Sequence, residues 1–406
     1  MKKHILVIAQ YFYPEQFRIN DICTEWVKRG YKVTVVTGIP NYPEGKYYKG
    51  YGLFKKRKET FNGINIIRIP LIPRGNNKLM LILNYFSFVI SGFFWKTFTR
   101  INADRVFIFE VSPMTQALPG VWYAKRKEIP CFLYVTDLWP ENVEFVSGIK
   151  SRYILNSIGK MVDYIYKSSS LILLASQGFK QAVHERGVSN KKLEYWPQYA
   201  EDFYKPVKRN NTVQELIPAD EKFNIIFAGN IGEAQGLYIL IDVAQKLKSD
   251  SANIRFVIVG DGRFKKTLIE KTLAENIADM FLFLDKQPPE KIPELFAWCD
   301  VALIILAKSK VFSYTLPAKT QSCLASGIPV LVSADGEIQR IINEAKAGLC
   351  SKAGNVEDMV LNIHSMLRMS KKDLAVMAEN GIIYSERYFK KEILLENIDK
   401  WFNSMN

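Results

Sequence analysis

The residues in this 406-residue chain best placed to do chemistry lie between Asn224 and Ala244. Ile225–Ala228 read as a buried strand, Gly229, Gly232 and Gly236 punctuate a polar loop, and Leu237, Leu240, Ile241 and Ala244 recur at helical spacing. Strand, glycine-rich turn and helix in that order let a backbone approach a ligand closely. The helix start adds free N–H groups and the positive end of a dipole, so the unit is suited to a phosphate or diphosphate. A tight strand-to-helix turn that needs glycine only for its dihedrals carries the same signature. Metal chemistry has little to draw on, because the three histidines, His4, His184 and His364, are far apart.

Stepping outward, the length exceeds what one hydrophobic core usually supports, which predicts two domains of ordinary size. Five cysteines without paired spacing, several inside apolar runs, predict reduced thiols in a cytosolic protein. The apolar part of the N-terminus, Ile5–Ala9, is too short for a secretory signal and reads as a first strand. Charge is lopsided. Residues 1–200 hold 29 Lys and Arg against 14 Asp and Glu, net +15, and the other 206 hold 26 against 27, net −1. A basic first half predicts an anionic partner: nucleic acid, anionic lipid or a phosphate-bearing substrate.

Apolar runs alternate with helical patterns through both halves. Strands are expected at 5–9, 32–37, 64–69, 105–109, 131–135 and 170–175. After a polar, proline-punctuated connector at 196–222 they resume at 224–228, 254–259, 281–284, 301–305 and 329–333. The residues between 38 and 63 read as a long loop rich in Gly, Pro, Tyr and Lys. Such alternation means helix-covered parallel sheets, whose ligands bind beyond the carboxyl ends of the strands. The expected domains are 1–198, a linker at 199–222, 223–382, and a C-terminal helix, 383–406, that packs back on the first.

Residues 79–98 are apolar and long enough to span a bilayer. A true span would place strands of one sheet on opposite sides of the membrane. Asn84, Ser87, Ser91 and Trp95 fall on one helical stripe, and Arg74, Lys78, Lys96 and Arg100 flank the run. The expectation is a helix lying in the membrane interface, with Trp95 anchoring it. Lys55, Lys56, Arg57 and Lys58, interleaved with Tyr51 and Phe54, fit an anionic membrane surface in the same way.

The segments Gln10-Tyr-Phe-Tyr-Pro-Glu, Thr136-Asp-Leu-Trp-Pro-Glu-Asn, Phe227-Ala-Gly-Asn-Ile-Gly-Glu-Ala-Gln-Gly, Val259-Gly-Asp-Gly and Leu316-Pro-Ala-Lys-Thr-Gln-Ser span nearly the whole chain in order. Together they resemble the family 4 retaining glycosyltransferases, in particular a branch of bacterial polysaccharide assembly that includes N-acetyl-fucosaminyl transferases of the WbuB type. The resemblance implies a GT-B fold: α/β, two tandem Rossmann-like doubly wound domains facing a central cleft, with the C-terminal helix returning to the first. It implies a UDP-sugar donor, no metal or other cofactor, and a lipid-linked polyprenyl diphosphate saccharide as acceptor. The enzyme would be cytoplasmic, peripheral on the inner face of the plasma membrane.

Gly229, Asn230 and Gly232 would then meet the diphosphate. Many members place an arginine and a lysine in this loop, where this chain has the neutral Asn230 and Gln235. Lys319 becomes the expected cation, with Arg263, after Gly262, a second. Ser322, beside Gln321, stands where a ribose-binding glutamate is usual. Lys286 and Gln287 would sit near the base. Asp137, with Glu141, is the expected catalytic or positioning carboxylate, and Glu15 would line the same cleft. An aspartate at 137 could instead cap a helix starting at Pro140. Two other readings stand beside this one: a UDP-sugar 2-epimerase, which needs several acid–base groups in one cleft, and a nucleic-acid-binding protein without an enzymatic role, for which no recognisable motif is present. A dinucleotide oxidoreductase is disfavoured, because the first strand is not followed by Gly-x-Gly-x-x-Gly.

Overall fold

The computed structural model describes residues 3–405 apart from 76, 144–150, 211, 212 and 214. The chain forms two compact units: residues 1–175, 179–196 and 401–406 in the first, and residues 176–178 and 197–400 in the second.

The first unit is built on β1 (His4–Ile8), β2 (Lys32–Thr37), β3 (Lys58–Phe61), β4 (Ile64–Arg68), β5 (Arg105–Glu110), β6 (Cys131–Val135), β7 (Leu171–Leu174) and β8 (Leu193–Tyr195). They assemble in the order β3-β4-β2-β1-β5-β6-β7-β8. All are parallel except β3, which pairs antiparallel with β4 at the sheet edge. The central strands are mostly apolar and buried but for the first residues of β1 and β2, as strands covered on both faces must be. The helices are α1 (Arg18–Lys28), α2 (Lys78–Phe98), α3 (Leu118–Lys127), α4 (Arg152–Ser168) and α5 (Phe179–Glu185). Phe402 enters this core from the chain's end, 4.8 Å from the Phe132 ring and 5.5 Å from that of Trp26. Arg105 lies over its face and donates to its carbonyl.

Helix α2 shows how a largely apolar helix is oriented. Its polar stripe faces the protein. Asn84 is fully buried, accepts from the Gln10 amide at 2.7 Å and donates to the Ile72 carbonyl. Gly92 lets α2 lie against α3, since a Cβ there would sit 2.2 Å from Pro119 Cγ. Leu79, Ile82, Leu83, Phe86, Ile90, Phe93, Phe94 and Phe98 are left exposed. The helix is long and apolar enough to cross a membrane, yet its polar side is spent on protein contacts. Trp95 departs from the sequence expectation. It stacks on Tyr123 at 5.5 Å on the protein-facing side, so the exposed phenylalanines and not Trp95 form the apolar face.

The second unit carries β9 (Phe223–Ala228), β10 (Ile254–Val259), β11 (Phe281–Leu284), β12 (Val301–Ile305), β13 (Val330–Ser333) and β14 (Gly348–Ser351) in the order β11-β10-β9-β12-β13-β14, all parallel. Its helices include α6 (Ile239–Ser249), α7 (Lys265–Ala274), α8 (Ile292–Ala297), α9 (Lys310–Tyr314), α10 (Lys319–Ala325) and α11 (Glu337–Ala345). Apolar clusters fill both faces of this sheet. Val213 and Ile217, from the stretch that reads as a connector, belong to one of them. In each unit the side chains of interest follow the carboxyl ends of central strands.

We expect Asn84→Ala to cost about 1–3 kcal/mol, because it strands the Gln10 amide and the Ile72 carbonyl in a buried site. Urea unfolding monitored by tryptophan fluorescence would measure it; an unchanged midpoint would show that the network adds no stability.

Candidate active site

In the second unit, two glycine turns are pressed together. The turn after β9 is tied to the turn after β10 by Gly229 N–H to Val259 O (2.9 Å), Ile231 N–H to Asp261 O (2.8 Å) and Phe264 N–H to Ile231 O (3.0 Å). A Cβ at Gly260 would come within 1.9 Å of Gly229 O, so only glycine allows this approach. Lys265 binds the pair to the next strand, donating to Gly260 O at 3.0 Å and to Asp285 at 2.8 Å. Sequence reasoning missed Lys265, because a lysine opening a helix reads as a solvated charge.

These contacts correct part of the expected donor site. The N–H groups of Gly229 and Gly232 are occupied, by Val259 O and by the Gln235 side chain (3.1 Å) respectively. Among the described residues, the N–H of Asn230 has no protein partner. The glycines therefore supply room, not donors. Gln321 is buried, and with its amide nitrogen turned toward the helix start it donates to Pro317 O at 3.0 Å and Ala318 O at 2.9 Å. Ser322 is one position further along α10, nearly buried, with no hydrogen bond from its hydroxyl among the described residues. Arg263 is exposed beside Gly262, and Lys286 is exposed after β11, where Gln287 turns its amide to Asp285 O at 3.2 Å.

Lys319 lies where the sequence places a cation. It opens α10, and its Nζ sits 3.9 Å from the centroid of Phe227, the ring just before the β9 turn. A Cβ on Gly229 would be 3.2 Å from that Nζ, so the ammonium is beside the glycine turn. Among the described residues no carboxylate pairs with it. Burial lowers its pKa to about 8, with neighbouring Cys323 opposing the shift slightly. A partly buried ammonium over an aromatic face, with no carboxylate beside it among the described residues, has the chemistry to receive an anion.

In the first unit, Asp137 follows β6. Its Oδ2 accepts from both the N–H and the hydroxyl of Ser112, each at 2.9 Å, and Trp139 Nε1 holds that hydroxyl at 3.1 Å. The side chain is thus fixed by the loop after β5 and does not cap the turn at Pro140. Its Oδ1 has no protein donor among the described residues and is free to accept from a hydroxyl. Beneath it, Glu110 ends β5 fully buried. Neither of its carboxyl oxygens has a partner in full hydrogen-bonding geometry. Burial, with the Asp137 charge added, raises its pKa well above the usual carboxyl range, and the nearby N–H groups of Asp137 and Thr136 offset this only in part. Burial thus disfavours the charged form of Glu110. No sequence signal separates it from a polar strand end. Glu141 is partly buried and makes no hydrogen bond from its side chain among the described residues.

Glu15 has a different role from the one expected. It is buried, and its carboxylate accepts from the N–H groups of Asn41 (2.8 Å), Tyr42 (2.7 Å) and Phe12 (3.3 Å), pinning two loops together. Burial pushes its pKa to about 7 despite those bonds. Arg57 is likewise turned inward, donating to the Leu53 and Arg68 carbonyls, whereas Lys55, Lys56 and Lys58 are exposed.

Residues 208–383 match the family model described as glycosyl transferases group 1. WcaI of Escherichia coli K12, named for colanic acid biosynthesis as a glycosyl transferase, is 25% identical over 413 residues, covering 96% of this chain and 97% of its own. The alpha-monoglucosyldiacylglycerol synthase of Acholeplasma laidlawii is 22% identical over 92% of this chain and 96% of its own. HepE of Anabaena, in a crystal structure with UDP, superposes with a TM-score of 0.73 at 14% identity over all of both chains. The chain is a glycosyltransferase of the GT-B fold. That activity stands in place of the epimerase and nucleic-acid-binding alternatives.

The lowered Lys319 pKa fixes the direction of a pH effect. The lysine loses its charge as pH rises through about 8, and a bound diphosphate favours the charged form. We expect UDP affinity to weaken above pH about 8, by up to about tenfold per unit, and this slope to vanish in Lys319→Met. Calorimetric titration of UDP across the range measures it; a parallel slope in the variant would exclude Lys319 as the titrating group.

Proposed function

We propose that the transferase moves an N-acetylated hexosamine or deoxyhexosamine, of the WbuB type, from a UDP-sugar to a polyprenyl diphosphate-linked saccharide, with retention at the anomeric carbon. Its place would be the cytoplasmic face of the plasma membrane, in assembly of a bacterial surface polysaccharide such as an O-antigen or capsule. The observation that carries this reading is the uncompensated Lys319 ammonium beside the paired glycine turns. UDP bound to HepE and the colanic acid role in the name of WcaI support it.

In this reading the C1–O bond of the donor breaks and its electron pair passes to the β-phosphate. Lys319 and the Asn230 N–H stabilise that charge as it develops, so no metal is needed. The acceptor oxygen forms the new bond to C1, and its proton leaves to the departing phosphate. Asp137 orients the acceptor hydroxyl through Oδ1, held in place by Ser112 and Trp139. Arg263, Lys286 and Ser322 complete the donor side. The apolar face of α2, with Lys55, Lys56 and Lys58, lies against anionic lipid.

A mass-spectrometric screen of UDP-, GDP- and dTDP-sugars against the purified enzyme tests the donor; preference for a base other than uracil would overturn it. Asp137→Asn is expected to lower turnover by about 10²-fold or more while UDP affinity stays near wild type. Unchanged turnover would remove Asp137 from the site. Activity is expected to survive EDTA, and loss restored by a divalent ion would contradict charge neutralisation by Lys319.

A further inference from the structure

The first unit contains a cavity of about 290 Å³ between α2, the segment after β4, and the loop before β3. Tyr47, Leu53, Leu71, Ile72, Ser87 and Ile90 are among its lining residues. Its wall is mostly hydrocarbon, and of the three hydroxyls on it, those of Tyr47 and Ser87 are already engaged, which leaves that of Ser91. The Tyr47 hydroxyl donates to Leu71 O, and Ser87 Oγ accepts from Ile72 N–H at 2.9 Å and donates to Asn84 O at 2.8 Å. A polar ligand would lose hydration there and recover few hydrogen bonds.

The cavity is continuous with the apolar surface. Ile90 is part of both the wall and the exposed face of α2, and Leu53, on the opposite wall, is followed by Phe54, which is 95% exposed. Cations stand at the rim. Arg57 donates to Leu53 O at 2.9 Å, and Arg74 follows the lining residue Pro73, stacked over Tyr42 at 5.0 Å. Burial raises the pKa of Tyr85, two residues before Ser87 on α2, with the Arg74 charge opposing and the Asp137 charge adding to the rise. The helix thus carries cavity-lining residues and a hydroxyl within electrostatic reach of Asp137.

We propose that this cavity holds the phosphate-proximal part of the prenyl chain of a lipid phosphate acceptor, with Arg74 at its phosphate, so that the saccharide end is directed to Asp137. This rests on the lipid-linked acceptor read above. A single small cavity accommodates one chain, not the two of a glyceride, and the cationic rim suits a phosphate where a neutral glyceride offers no charge.

The test uses the full chain and farnesyl phosphate below its micellar concentration, with inorganic phosphate and dihexanoylglycerol as comparison ligands, titrated calorimetrically. Ser91→Phe fills the cavity and Ile90→Asn makes its wall polar. Phe94→Ser removes an exposed apolar group of α2 that does not line it. Farnesyl phosphate is expected to bind the wild type and Phe94→Ser alike, and both cavity variants at least about tenfold more weakly. Equal binding by wild type and either folded cavity variant, binding no tighter than that of phosphate, or tighter binding of dihexanoylglycerol would overturn the proposal. Assays with a polyprenyl diphosphate-linked saccharide separate the two levels. A wild-type enzyme that ignores this acceptor sinks the proposed function, whereas one that uses it with an acceptor KM unaffected by Ser91→Phe and Ile90→Asn sinks the cavity assignment alone.

Discussion

The proposed chemistry of the second unit depends on one uncompensated charge. Lys319 is held over the Phe227 ring, beside a turn from which side chains are excluded, with no carboxylate among the described residues to neutralise it. An ammonium in that position is less favourable than one in water, as its lowered pKa records. In the proposed reading a bound diphosphate would offset that penalty, increasingly so as negative charge grows on the leaving group. The glycines serve this charge by geometry. The β9 and β10 turns touch backbone to backbone because Gly229, Gly260 and Gly262 have nothing to interpose, and Lys265 fastens the assembly to β11.

The first unit solves a different problem, that of directing one carboxylate oxygen. Asp137 is fixed by two donors from Ser112, and Ser112 by Trp139, so Oδ1 is presented and Oδ2 is spent. Glu110 beneath it is fully buried, and burial pushes its carboxyl well above the usual range.

Much of this was legible in the sequence. Continuous apolar runs marked the central parallel strands, and the glycine spacing marked the β9 turn, because both follow from local backbone and burial requirements. The short edge strands β3, β8 and β14 were not legible. Their sequences, Lys-Glu-Thr-Phe, Leu-Glu-Tyr and Gly-Leu-Cys-Ser, lack a periodic signal, and pairing with a formed neighbour decides them. Within the site, Lys319 was readable from its motif, but the fate of individual donors was not. That Gly232 N–H is claimed by Gln235, that Gln321 folds back on its own helix start, and that Glu15 is consumed by three backbone amides all depend on contacts that spacing does not encode. Trp95 illustrates the same limit: a tryptophan on an apolar helix suits a lipid interface or a protein neighbour equally, and Tyr123 settles which.

The most direct measurement is a crystal structure of the protein with UDP. The account predicts a β-phosphate oxygen within hydrogen-bonding distance of Lys319 Nζ, next to the Gly229 turn. A diphosphate bound elsewhere, with Lys319 still seated on Phe227 and no phosphate beside it, would contradict it.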